Sequence, residues 1–348
     1  MRCEGVYIAG TAAWLPPAVS ARDAVASGAA DQALVETTGQ LSVAVAGAES
    51  GPEMAALAGK NALARSGLEP AEIALVLHAG VFYSGHDMWA PASFVQRATV
   101  ATDCLAMEVR QASNGGMACL EFAVPYLQAD PRRAAALLTT GDKFCQPRFD
   151  RWRSDPGTVY ADGGTAVVLS ARTGFARLLS LVSVSASDLE GMARGTDPFA
   201  DEPFQFRPRV DVEECKRGFL GQVGLAYMIG RLSAGQLAVV TRALDDAEVK
   251  LDDIAGFALP HQGRRRLDAG YLRPFDIDVE RTTWPWSRGV GHLGAGDPFA
   301  GLDHLVASGA VAPGDLCLLA SVGAGFTWSA AVVEILERPQ WTDDPDRR

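Results

Sequence analysis

In Gln111-Ala-Ser-Asn-Gly-Gly116 a small hydroxyl residue, Ser113, stands between a strand-like apolar run, Cys104–Val109, and a helical pattern, Met117–Val124. Serine is a weak nucleophile at neutral pH and needs a base within roughly 2.6–3.2 Å. A second glycine-rich stretch, Gly289-Val-Gly-His-Leu-Gly-Ala-Gly-Asp297, offers such a base in His292 and an orienting carboxylate in Asp297. Nucleophile, base and carboxylate are the three parts of an acyl-transfer site. Each also has a plainer role. Ser113 suits a helix N-cap, which is compatible with attack because a helix start favours developing negative charge. His292 could be a loop histidine bonded to backbone, and Asp297, before Pro298, could cap the next helix.

What would bring these segments together is an internal duplication. A helical pattern over Glu53–Ser66 leads into a buried strand at Ile73, and a second over Leu237–Val249 leads into one at Ile254, 181 residues later. The same offset carries Ala136–Gly141 onto Cys317–Val322, while Thr165–Ser170 and Ala330–Ile335 close the halves. One α/β unit used twice is the reading, with residues 1–175 carrying the nucleophile and 176–348 carrying the histidines and Asp297. Ser113 moved by the offset lands on Gly294, between His292 and Asp297, so a pseudo-twofold axis would place all three at one cleft.

Composition narrows the partners. The net charge of -11 argues against nucleic acid or an anionic membrane. The 6 cysteines lie in no metal-ligand spacing and read as reduced, mostly core residues, so no metal is expected. No segment reaches the roughly 18 uninterrupted apolar residues of a membrane span, and a cytoplasmic enzyme is expected.

Four segments in order, Val6–Pro16, Tyr160–Leu169, His261-Gln262 and Gly323–Trp328, resemble the ketoacyl-ACP synthase III branch of the thiolase superfamily over almost the whole chain. The resemblance implies a five-layered αβαβα sandwich, a homodimer, no bound cofactor, and a phosphopantetheine thioester donor on acyl carrier protein or CoA. It also implies an acyl-enzyme, with the family's cysteine replaced by Ser113, its histidine kept as His261, and its asparagine replaced by His292. In that family the His and Asn bind an extender thioester carbonyl, so the change argues against carbon–carbon bond formation. The Ser-His-Asp set is similar instead to antibiotic-pathway acyltransferases that move an acyl group to a hydroxyl of a sugar or cyclitol, or to a second carrier.

On that resemblance the oxyanion would be held by the amides of Ser113 and Ala324. His261 would bind the thioester carbonyl or the acceptor hydroxyl, or remain as scaffold. Ala33 and Pro156 stand where CoA-using members sandwich adenine between Trp and Arg, which favours a carrier-protein donor. Arg264, Arg265 and Arg266 follow the His261 motif, and Arg266 falls where the family docks its acidic carrier; a solvated charged face is the plainer alternative. The aromatics of Phe82–Pro91 and Trp284–Ser287 suit acyl and acceptor pockets or a dimer interface. An α/β-hydrolase would want glycine where Gln111 stands.

Overall fold

The computed structural model describes residues 1–343. Its strands are β1 (Tyr7–Trp14), β2 (Ala18–Ser20), β3 (Ser42–Ala44), β4 (Ile73–Ala79), β5 (Leu105–Val109), β6 (Ala135–Asp142), β7 (Gly163–Ser170), β8 (Ala176–Ser185), β9 (Ile254–Ala258), β10 (Leu316–Gly323) and β11 (Thr327–Ile335). The longer helices are α1 (Gly51–Ser66), α2 (Pro91–Thr99), α3 (Gly115–Gln128), α4 (Val212–Val223), α5 (Leu225–Ala247) and α6 (Asp297–Ala307). Nine strands form one sheet in the order β5-β4-β6-β7-β1-β8-β11-β10-β9, while β2 and β3 pair separately.

Elements 181 residues apart correspond. β6 and β10 do so at both ends, β4 and β9 at their first residues, and α1 and α5 at their last. α5 begins well before the pattern at Leu237, because Leu225 and Ile229 in its first turns are exposed and break the apolar periodicity.

Strand alternation explains the layers. Leu75, Leu77, Leu138, Val167 and Leu169 point to one side, into a core shared with α3; Val76, Leu137, Ala166 and Val168 point to the other, against α1, where Ile73 joins them across a register irregularity before Leu75. In the second half Cys317, Leu319, Ala331 and Val333 join the shared core, while Leu318, Ala320, Ala330 and Val332 face α5. Two helices therefore lie between the half-sheets. α3 contributes Met117, Leu120, Val124 and Leu127, and α6 contributes Phe299, Leu302 and Leu305. These positions recur every three or four residues, and burying each such side chain is worth about 1.5–3 kcal/mol before entropy is counted. The result is the five-layered sandwich of a thiolase fold.

The halves are also tied by polar contacts. β1 and β8 pair through Tyr7 with Arg177 and Ile8 with Ala176. From α1, Arg65 reaches Asp303 on α6 (3.1 Å) and the Thr11 carbonyl on β1 (2.6 Å), and Thr11 Oγ1 donates to the same carboxylate (2.9 Å).

The shared layer fits because its helix starts are small. A Cβ on Gly116 would come within 2.5 Å of the Ala295 carbonyl oxygen, backbone that cannot swing aside. Gly116→Ala should therefore push the start of α3 away from the 294–296 turn, costing about 1–3 kcal/mol of stability as overpacked cores do. A thermal melt and an acylation assay check this, and the expected result is a larger fractional loss of activity than of folded protein.

Candidate active site

Ser113 follows β5 in a tight turn. Its neighbour Ala112 has φ +46°, a left-handed conformation that costs a non-glycine residue about 1–2 kcal/mol and is held here by the surrounding packing. Asn114 occupies the N-cap of α3, which leaves the serine side chain free of capping. The Ser113 hydroxyl instead donates to His292 Nε2 at 2.8 Å.

His292 is fixed through its backbone. Its N–H donates to the Val159 carbonyl (2.9 Å) and its carbonyl accepts from Ala161 N–H (2.8 Å). The ring packs edge-on against Tyr160, with centroids 4.9 Å apart. Its Nδ1–H donates to Asp297 Oδ2 at 2.5 Å, a charge-assisted bond that leaves Nε2 bare toward the serine. Asp297 is the first residue of α6, and its Oδ1 accepts from Leu293 N–H (2.8 Å). Sequence reasoning singled out these three residues, and the fold brings them into one hydrogen-bonded chain.

The charges are mutually consistent. Burial alone would lower the proton affinity of His292, but Asp297, followed by Asp142 and Asp155, outweighs it and holds the imidazole above its ordinary value. Burial likewise pushes the Asp297 carboxyl up, yet the two histidines and its hydrogen bonds keep it below the usual carboxylate range. A base with raised affinity and a permanently charged orienter is suited to taking a hydroxyl proton.

His261 lies in the same buried network. Its N–H donates to Asp297 Oδ2 (2.8 Å), and its Nδ1 lies 3.1 Å from the Gly291 carbonyl and 3.4 Å from Asp297 Oδ1. A carbonyl only accepts, so Nδ1 carries the hydrogen. Burial lowers the ring's proton affinity and keeps it neutral. Nε2 is thus a buried lone pair without a partner among the described residues. Trp286, from one of the aromatic segments read in the sequence, meets this ring edge-on at 5.4 Å and stacks on His304.

Ala324 sits in the turn after β10, whose end lies against the nucleophile. Ser321 Oγ donates to the Ser113 carbonyl (2.9 Å), and a Cβ on Gly323 would come within 2.2 Å of the Gln111 carbonyl oxygen. Ala324 follows directly on that close approach. Phe82 packs with Phe144 and Phe149, while Tyr83, Met88 and Trp89 are exposed, so the Phe82–Pro91 segment divides between core and surface.

The basic run departs from expectation at one residue. Arg264 and Arg265 are exposed and form no ion pair among the described residues. Arg266 is not a free cation: its guanidinium forks onto Asp155 (2.7 and 2.8 Å) and donates to Thr158 Oγ1 (2.9 Å). The reason is Asp155, a buried carboxylate that burial would drive neutral were Arg266 not beside it. Pro156 lies in the segment this pair secures, and Asp31, two residues before Ala33, pairs with Arg153. Tyr160, Asp155 and Asp142 all act on His292 without having been assigned a role from sequence. Asp142, a lone acid closing a buried apolar strand, is the one with a visible sequence signal.

A family profile described as 3-oxoacyl-[acyl-carrier-protein (ACP)] synthase III C terminal matches residues 244–335. The structure of ChlB3, titled an acyltransferase, superposes with a TM-score of 0.90 at 35% identity, covering 97% of this chain and 99% of that one. The chain belongs to the ketoacyl-ACP synthase III family. A family member named beta-ketoacyl-[acyl-carrier-protein] synthase III, from Rhizorhabdus wittichii, is 28% identical over 307 residues, 87% of this chain and 90% of its own length. The priming beta-ketosynthase of the R1128 polyketide pathway shares the fold, with a TM-score of 0.78 at 18% identity over 97% of this chain and 98% of that one. Within the family this chain is an enzyme of the acyltransferase class.

If His292 is the base, acylation should fall as the pH drops through its raised pKa, so the acid limb should lie above the ordinary imidazole range. Asp297→Asn should keep the fold and slow acylation by about 10⁴-fold, the order seen when a triad carboxylate becomes an amide. His292→Ala should be at least as slow. Intact-mass kinetics of acyl-enzyme formation across pH read all three.

Proposed function

We propose that the protein takes an acyl group from a phosphopantetheine thioester onto Ser113 and passes it to a hydroxyl or amine of a small polyol acceptor, of sugar or cyclitol type, in a natural-product pathway. The observation that carries this reading is the chain Ser113 Oγ–His292 Nε2, His292 Nδ1–Asp297 Oδ2, at 2.8 and 2.5 Å. Residues 1–175 contribute the nucleophile, and residues 176–348 the histidines and Asp297.

In the first half-reaction His292 takes the Ser113 proton as Oγ attacks the thioester carbonyl. The oxyanion faces the amides of Ser113 and Ala324, each such donor being worth about 10²–10³ in rate. The imidazolium returns its proton to the departing thiolate. In the second half-reaction the neutral His292 takes the acceptor's proton, and the alkoxide of Ser113 regains it as the new bond forms.

Two features favour a protic acceptor. An oxygen ester is a less energetic acyl donor than a thioester, so a serine-bound acyl group passes readily to an amine or hydroxyl and only uphill to a second carrier's thiol. The lone pair of His261 Nε2 suits an incoming O–H or N–H and gives nothing to a carbonyl. Decarboxylating condensation, the alternative suggested by the synthase names of relatives, needs donors at an extender carbonyl. The acyltransferase title of ChlB3 supports the same choice.

The donor arrives on acyl carrier protein, an acidic partner for which Arg264 and Arg265 form the exposed basic rim. A homodimer fits β5, whose outer edge is unpaired among the described residues and whose Leu105 and Met107 are exposed, as are Tyr83, Met88 and Trp89.

Ser113→Ala should gain no acyl mass from acyl carrier protein or acetyl-pantetheine; acylation of that variant at another residue would sink the assignment. Arg264→Glu with Arg265→Glu should raise the KM for acyl carrier protein about tenfold or more while leaving that for acetyl-pantetheine near wild type, a separation of about 1.4 kcal/mol. Equal effects on both donors would remove the docking role.

A further inference from the structure

Asp142 closes β6 beneath the turn that follows His292. Its Oδ1 accepts from the N–H groups of Val81 (2.7 Å) and Phe82 (2.9 Å), and the Ala295 N–H in the catalytic turn also acts on the carboxylate, while Oδ2 makes no close hydrogen bond among the described residues although the residue is 2% exposed. No Lys or Arg pairs with it among the described residues. A buried carboxylate held by backbone amides alone, with no paired cation, is still costly, and its burial calls for a cation or a role. The cation-capable group that acts on it is His292.

Its position has a counterpart in the other half. Oδ2 lies over Gly294, where an added Cβ would come within 2.2 Å of it. Gly294 corresponds to Ser113 by the 181-residue offset, and Asp142 corresponds to Gly323, which packs beside Ser113. One contact is thus used in two ways: glycine lies beneath the nucleophile, and a carboxylate lies beneath the base's turn.

We propose that Asp142 is a second carboxylate for His292, a positioning residue whose buried charge stabilises the imidazolium formed when Ser113 gives up its proton. Its amide contacts also tie the catalytic turn to the Val81–Phe82 segment. The proton itself moves only from Ser113 Oγ to His292 Nε2 and on to the leaving thiolate; Asp142 remains an anion throughout. The catalytic consequence rests on the acyl-transfer reading, whereas the electrostatic coupling does not.

The charged groups around Asp142 can be named. His292, from the catalytic turn, and Tyr160, from the 155–160 segment, interact with it directly, while Asp297 and Asp155 act on the same His292. Asp162 precedes β7 and is held by Arg151, Lys143 next to Asp142 donates to the Gly47 carbonyl, and the 81–82 segment has no titratable side chain. Burial pushes the Asp142 carboxyl up to about 6 against its backbone donors and His292. Above that pH Asp142 is charged and helps hold a proton on His292.

Asp142→Asn separates charge from scaffolding, because the amide oxygen can still accept from Val81 and Phe82. Removing the charge should lower the His292 pKa. Stopped-flow acylation with acetyl-pantetheine should then show the acid limb moved to lower pH by about one unit and the plateau roughly tenfold slower. A profile that superimposes on wild type would overturn the proposal, since a scaffolding role predicts no movement. Should Asp142→Asn fail to fold, NMR titration of the wild-type protein decides. His292 ring nitrogens that respond as the Asp142 carboxyl titrates support the coupling, and ring signals indifferent to that step refute it. Absence of any acyl-enzyme would count against the acyl-transfer reading alone, because the NMR coupling does not depend on it.

Discussion

The site depends on the burial of one carboxylate. Asp297 is almost wholly enclosed and accepts from His292 Nδ1, Leu293 N–H and His261 N–H, with His261 Nδ1 just beyond at 3.4 Å. Taking such a charge out of water costs several kcal/mol, which these donors and the positive start of α6 offset. In return, Asp297 fixes the tautomer of His292 and the backbone of His261. Both histidines present Nε2 as a lone pair, His292 because Asp297 takes its Nδ1 hydrogen and His261 because the Gly291 carbonyl takes its own.

This arrangement follows from the pseudo-symmetry of the fold. α3 begins at Gly115 and α6 at Asp297, so two helix starts meet between the half-sheets, one following a nucleophile and the other beginning with an acid. Residues without side-chain bulk, Gly116 and Ala295, form the contact, and larger ones would hold the starts apart. Electrostatics and packing therefore impose the same geometry, since a chain at 2.8 and 2.5 Å tolerates little separation.

The duplication was legible because buried strands read as continuous apolar runs and recur at a constant offset, and that offset already set Ser113 against Gly294. The triad was legible for the same reason, helped by its glycine-rich setting. The ion pair of Arg266 was not legible, because its partner, Asp155, is 111 residues away and only the fold unites them. The place of Asp142 was hidden more deeply, because the Gly294 turn that its Oδ2 lies against is 152 residues away in the chain. The start of α5 was missed because its exposed leucine and isoleucine carry no helical stripe. What local pattern encodes could be read, and what non-local pairing decides could not.

Ser113 and His292 are 179 residues apart in the chain and come from opposite halves of the fold. Neither half holds a partial catalyst that the other merely improves. The hydrogen bond between them is formed only while both half-sheets press on the shared helical layer, so catalytic competence reports on the integrity of the whole sandwich. On the proposed mechanism, a loosening of that layer too slight to expose either outer core would already silence the enzyme, which would make activity a more sensitive gauge of this fold than any measure of its secondary structure.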